Sequence, residues 1–182
     1  MFAQAAAVTW RILGFKAGPQ DFPFHPQLTQ TLLPLMILIG YVEYSFTLPP
    51  TVALAQSAAT VAGLALFTWQ LLRLRNFGSR FQQAFNALLA TGIVLTLFLL
   101  PAVASLAPFV KQIAANPELI GKLEVPALPT LLAALLSVWN LAVSAHIYRN
   151  ALEIGMGLAF AAAVLGAMFV TAFAAIAGGL VA

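Results

Sequence analysis

The sequence predicts an all-α integral membrane protein. The expected architecture is a bundle of five transmembrane helices with an N-terminal amphipathic helix in the cytoplasmic interface, oriented N-in and C-out. Three observations carry this expectation: composition, the length of the apolar runs, and the placement of the basic residues. Of 182 residues, 62% are apolar and only 7% charged, and the mean hydropathy is +0.98. A water-soluble domain carries about 25% charged residues. In water this chain would expose a very large apolar patch, and such patches aggregate. The bilayer is the solvent that suits it.

A helix needs roughly 20 mostly apolar residues to cross a hydrocarbon core of about 30 Å. Residues 1–26 form a lead-in to the spans. Within it, Met1, Ala5, Val8, Ile12 and Phe15 recur at helical spacing, so Met1–Phe15 reads as a helix lying on the membrane surface, with Trp10, Arg11 and Lys16 at headgroup level. The first ten residues have no positive n-region, and Arg11 and Lys16 follow the apolar run. That order is wrong for a secretory signal, so the segment is expected in the mature protein. The next stretch, G-P-Q-D-F-P-F-H-P, reads as a stiff extended link with Phe22 and Phe24 as surface anchors.

The transmembrane region, 27–182, holds five candidate spans. The first, about 28–48, is closed by Pro49-Pro50, where proline removes a donor and disfavours helix before it. The second covers about 51–72 and stops at Arg73 and Arg75, with Gly78 as its expected C-cap. The third is about 81–110. A polar segment, Lys111–Pro126, follows, and in it Asn116 is placed to cap a short helix beginning at Pro117. The fourth span is about 127–148 and the fifth about 154–181.

Cytoplasmic loops carry the Lys and Arg excess. With five spans, Arg11, Lys16, Arg73, Arg75, Arg80 and Arg149 fall on one side and only Lys111 and Lys122 on the other. This segregation gives the orientation. The same six residues are expected to fix topology and to read anionic lipid headgroups. The basic residues are few and scattered, which excludes a nucleic-acid footprint. There is no cysteine, so disulfides and thiolate metal sites are excluded.

Glu43 is the one acid inside a span, in G-Y-V-E-Y-S. It has two readings. An intramembrane carboxylate faces protein or water and marks function, with Tyr41 and Tyr44 as hydrogen-bond donors. Alternatively Glu43 reaches the nearby interface, and the tyrosines belong to the aromatic belt. The fourth span carries Ser137, Asn140, Ser144 and His146. Asn140 and Ser144 are four apart and share a face, expected to bond to neighbouring helices or, alternatively, to line a substrate site. His25 and His146 lack a metal-ligand spacing, so no metal site and no cofactor is expected. In the fifth span Gly155, Ala159, Ala163, Ala167, Thr171, Ala175 and Gly179 are small and four apart, a stripe suited to close helix packing within the bundle or against a second chain.

Hydrolase, zincin, P-loop and dinucleotide motifs are all absent from the sequence, and there are five acids in total. The expectation is a protein without enzymatic activity.

The layout and two local stretches, R-N-F-G-S-R-F-Q-Q-A-F-N-A-L-L-A and S-V-W-N-L-A-V-S-A-H-I-Y-R-N-A-L-E-I-G-M-G-L-A-F, resemble the Yip family of five-span membrane proteins (named for interaction with Ypt/Rab GTPases). The resemblance runs from Trp10 onward and is that of a compact bacterial-type member. It implies a scaffold or trafficking-type accessory protein that organises or assists other membrane components. The Ala- and Leu-rich composition suggests a bacterial inner membrane. Expected partners are the bilayer and other membrane proteins or further copies of the chain. Two other functions compete: an accessory subunit of a larger inner-membrane respiratory or transport complex, and a small transporter or channel using Glu43.

Overall fold

Prolines set several helix starts. At the first helical position proline loses nothing, because its missing N–H would be unpaired there anyway; Pro26 and Pro50 open two helices in this way. The computed structural model describes residues 1–182, and every regular element in it is helical. Six α-helices follow one another: α1 (Phe2–Leu13), α2 (Pro26–Ser45), α3 (Pro50–Leu74), α4 (Phe81–Ala115), α5 (Ala127–Leu152) and α6 (Met156–Gly179). Short 3-10 turns occupy Pro19–Asp21, Gly78–Arg80 and Pro117–Leu119.

The five long helices close a ring. Going round it, α2 packs on α3, α3 on α6, α6 on α5, α5 on α4, and α4 back on α2. The α3–α6 contact is antiparallel and uses absent side chains. A Cβ on Gly166 would sit 2.9 Å from the Phe67 ring, and one on Gly178 would meet the Gln56 amide. Between α2 and α3, Ser57 donates to the Ile37 carbonyl at 2.6 Å, directly beside Gly40. One end of the ring gathers Arg73, Arg75, Arg80 and Arg149 and is called the basic end below.

Four helices, α3, α4, α5 and α6, are long and apolar enough to cross a membrane. The chain is therefore an integral membrane protein. α2 is not in that set. Its 20 residues give a length of about 30 Å, but Gln27, Thr29, Gln30, Thr31 and Glu43 dilute its hydropathy.

Several boundaries differ from expectation. α4 runs to Ala115, absorbing Lys111 from the expected loop. Neither Pro101 nor Pro108 ends it. Asn116 starts the 3-10 turn at Pro117 without a side-chain cap bond. Gly78 is not the cap of α3. Asn76 takes the left-handed conformation (φ 60°), while Phe77 N–H reaches Leu72 O and Asn76 N–H reaches Arg73 O. This is a Schellman closure, in which asparagine tolerates the conformation that glycine usually supplies.

The lead-in differs most. The stripe Ala5, Val8 and Ile12 is buried, together with Thr9 and Leu13; its partners are α4 and α5. Met1 and Phe15, the ends of the expected stripe, are exposed along with Phe2 and Trp10. The apolar face thus meets protein, and the opposite face is left for lipid. Trp10 lies against Phe98 with ring centroids 6.3 Å apart, a point about 26 Å along α4 from Phe81 by helical rise. The link after α1 is not fully extended. Gly18 N–H donates to the Asp21 carboxylate at 2.9 Å, closing a turn. Phe22 is buried in the core, and only Phe24 is exposed.

Candidate functional site: an interior vestibule

A ring of five helices leaves an axis, and small or short side chains keep it open here. The interior is a cavity of about 500 Å³ to which all five long helices contribute. α2 gives Met36, α3 gives Thr60 and Leu64, and α4 gives Leu88 and Gly92. α5 adds Ser137, Asn140, Leu141, Ser144 and Tyr148. α6 supplies Ala163, Gly166, Ala167, Val170 and Thr171. Ligand cavities typically run from about 300 to 1,000 Å³ and combine apolar walls with a few placed polar groups.

The vestibule is closed at the basic end. Tyr148 is 2% exposed, its hydroxyl lies 3.0 Å from the Thr68 hydroxyl, and the Phe67 ring meets it edge-on. Toward the other end Ser137, Asn140 and Thr171 are exposed. The cavity is therefore a one-sided recess.

Its polar groups fall into two sets. Thr60 donates to Gln56 O at 2.9 Å and lies 3.1 Å from the Tyr44 hydroxyl. Ser137 donates to Ala133 O at 2.8 Å, and Tyr148 is engaged with Thr68. Asn140, Ser144 and Thr171 take part in none of the hydrogen bonds of the fold, although they line the same recess. The expectation that Asn140 and Ser144 bond across to neighbouring helices is therefore corrected. Their face looks into the ring's open axis, and no side chain crosses it to meet them.

Glu43 is half-buried on α2, seven residues beyond Met36. Seven residues bring a helix back to within about 20° of the same face, yet Glu43 is not among the residues that line the recess. The expected hydrogen bonds from the tyrosines are not formed. A one-residue offset turns Tyr44 about 100° away from Glu43, toward Thr60, and Tyr41 lines a groove between α2 and α3 with Pro34, Leu38 and Pro50. No basic side chain pairs with Glu43. The ion pair of the fold is Arg80–Glu153 at 2.6 Å.

No family model, curated protein or solved structure matches this chain.

The two histidines serve separate structural ends. His25 Nδ1 accepts from Gln27 N–H at the start of α2. His146 Nε2 lies 2.8 Å from Ala17 O. Together with the Trp139 indole, which donates to Leu13 O at 3.1 Å, it holds the lead-in on α5. Gln83 does the same from α4 through the carbonyls of Gln20 and Phe22.

The small-residue stripe of α6 divides. Ala159 and Ala163 are buried, Ala167 and Thr171 line the vestibule, and Gly155, Ala175 and Gly179 are exposed. Residues four apart advance about 400° per step, so such a row drifts 40° each turn and cannot stay on one contact. The buried small residues of α6 are Ala159, Ala162, Ala163, Gly166, Ala174 and Gly178.

Of the six basic residues, Arg11, Lys16, Arg73, Arg75 and Arg149 are exposed. Arg73 lies over Trp69 at 5.0 Å. Arg80 is instead engaged: besides Glu153 it donates to Ala151 O at 3.2 Å and lies over Phe77. Sequence reading missed Tyr148, Thr60 and Met36 as site residues. Tyr148 was within reach, because it extends the stripe Ser137, Asn140 and Ser144 by one more turn.

Proposed function

We propose that this chain is a non-enzymatic multi-pass membrane protein that assists other membrane components by holding a membrane-embedded molecule in its interior. The observation that carries this reading is the recess built by all five long helices, with Asn140, Ser144 and Thr171 lining it and unbonded. Polar groups without partners at membrane depth are costly, and a bound molecule supplies the partners. Hydroxyls and a carboxamide are binding groups; they are poor acids and bases at neutral pH. In this reading α2 is a fifth span, the basic end is cytoplasmic, and the C-terminus lies outside in a bacterial inner membrane. The gathering of Arg73, Arg75, Arg80 and Arg149 at one end of the ring supports the orientation. A compact Yip-type relationship rests on the layout and the two quoted stretches.

The test is purification from native membranes in polymer-bounded lipid discs, followed by lipid and protein mass spectrometry. A molecule or membrane partner is expected to co-purify with the wild type and to be lost with Ala167→Phe, which fills the recess. Equal recovery from both would overturn the role of the interior, and a bare protein with no companion would overturn the function.

A second reading, an accessory subunit of a larger complex, is favoured by α5. Leu128, Leu131, Leu135 and Val138 are all more than half exposed and follow a three-four spacing, the spacing by which helices mesh. A stable monomer in detergent, with no partner recovered on crosslinking in the native membrane, would count against it.

A further inference from the structure

Resting on the proposed holding function, we infer that the vestibule takes the head of a neutral amphiphile: a membrane-soluble molecule with an uncharged hydroxyl, carbonyl or amide head and an apolar tail. The class follows from what lines the recess and from what does not. No Asp, Glu, Lys, Arg or His contributes to its wall. A formal charge brought to that depth, against neutral dipoles alone, keeps most of its desolvation penalty. A head with no charge keeps little of it, provided its hydrogen bonds are met.

Those bonds are on offer. The Asn140 carboxamide brings two N–H donors and a carbonyl acceptor, while the Ser144 and Thr171 hydroxyls each donate one bond and accept others. Asn140 and Ser144 stand one turn apart on α5, and Thr171 faces the same space from α6. Donors and acceptors are therefore mixed, which suits a hydroxyl or ester head better than a purely accepting anion or a purely donating cation. Met36, Leu64, Leu88 and Val170 supply the apolar wall along which a tail lies. Gly166 lets the Phe67 ring close against α6, where a Cβ would come within 2.9 Å of it, and Gly92 sits against Met36. Tyr148 and Thr68 close the basic end by bonding to each other, so the head enters from the open side.

The experiment uses the full chain in lipid discs with three photoreactive probes of identical tail. One is a monoacylglycerol, one a fatty acid, and one a quaternary ammonium. Crosslinked peptides are mapped by mass spectrometry. The monoacylglycerol is expected to label α5 around 137–148 and α6 around 163–171. Asn140→Leu should lower that labelling about fivefold, the loss of roughly one hydrogen bond, whereas Leu131→Phe on the lipid side should leave it unchanged. Asn140→Asp should reverse the preference toward the ammonium probe, and it tests the wall even if the leucine variant folds poorly. If a charged probe labels the recess of the wild type as strongly as the monoacylglycerol, the neutral-head assignment fails while the holding function stands. If every probe labels only lipid-facing residues, both fail. Competition by unlabelled diacylglycerol, but not by a short-chain free alcohol, would assign the source to the bilayer; the reverse would assign it to a free metabolite.

Discussion

At the basic end of the ring, side chains from distant segments interlock; at the opposite end the same helices stand apart. Near the basic end Tyr148 meets Thr68, Arg80 meets Glu153 and Ala151, Asn86 accepts from Thr29, and His146 and Gln83 hold the lead-in. Toward the other end α5 is open over most of its first half, and the recess lies between its inner face and α6. The two regions differ in how many polar groups are satisfied within the chain. At the basic end side chains bond across helices, whereas Asn140, Ser144 and Thr171 in the recess do not.

This contrast can be broken by substitution, beginning where the effect is greatest. Tyr148→Ala should cost about 3–5 kcal/mol, the usual loss for truncating a buried aromatic ring. Tyr148→Phe, which leaves the Thr68 hydroxyl buried without its partner, should cost about 1–3 kcal/mol. Both are measured by denaturant titration in micelles followed by circular dichroism. A loss below about 1 kcal/mol for Tyr148→Ala would mean that this end does not hold the bundle together.

Gly166→Val comes next, at about 1–3 kcal/mol, because the added side chain drives into Phe67 and forces α3 and α6 apart. Thermal melting in the same micelles reads it. Arg80→Ala should cost no more than about 1 kcal/mol, since the pair with Glu153 is open to solvent and screened; its side chains are 38% and 61% exposed. That loss should shrink further in high salt, which separates it from the packing variants. Smallest is Leu131→Ala at the open end, within about 0.5 kcal/mol. A larger fall in lipid discs than in detergent would show that something in the membrane covers α5.

The sequence was most readable where one physical rule acted alone. Five apolar runs became five long helices whose starts lie near the expected ones, while α4 and α5 run past their expected ends to Ala115 and Leu152. It was least readable where two rules competed. α2 has a span's length but a polar opening turn, and its hydropathy fell below that of its neighbours. Asn76 closes α3 in place of Gly78, because the basic turn puts its reversal two residues earlier than the glycine. Tyr44 and Glu43 are adjacent in sequence, and of their two open readings the hydrogen bond between them is not formed, because helical rotation turns Tyr44 to Thr60. The vestibule was half legible. Asn140, Ser144 and Ser137 stood out as a polar face, but only the closure of the ring turns that face inward to an open space. Thr60, Met36 and Thr171 join it from three other helices, and no spacing along one helix announces that meeting.

The docking of the lead-in also has a consequence in time. Leu13 and Ala17 are held by Trp139 and His146, partners 126 and 129 positions further along the chain. Synthesis at 5–20 residues per second therefore separates the first helix from its seat by roughly 6–25 s. Through that interval Ala5, Val8 and Ile12 have no α5 to cover them, and α4 is the first of their two partners to be made. The seat of the N-terminal helix is thus complete only when the fourth of the five long helices has been made, which makes its full docking a late step of assembly.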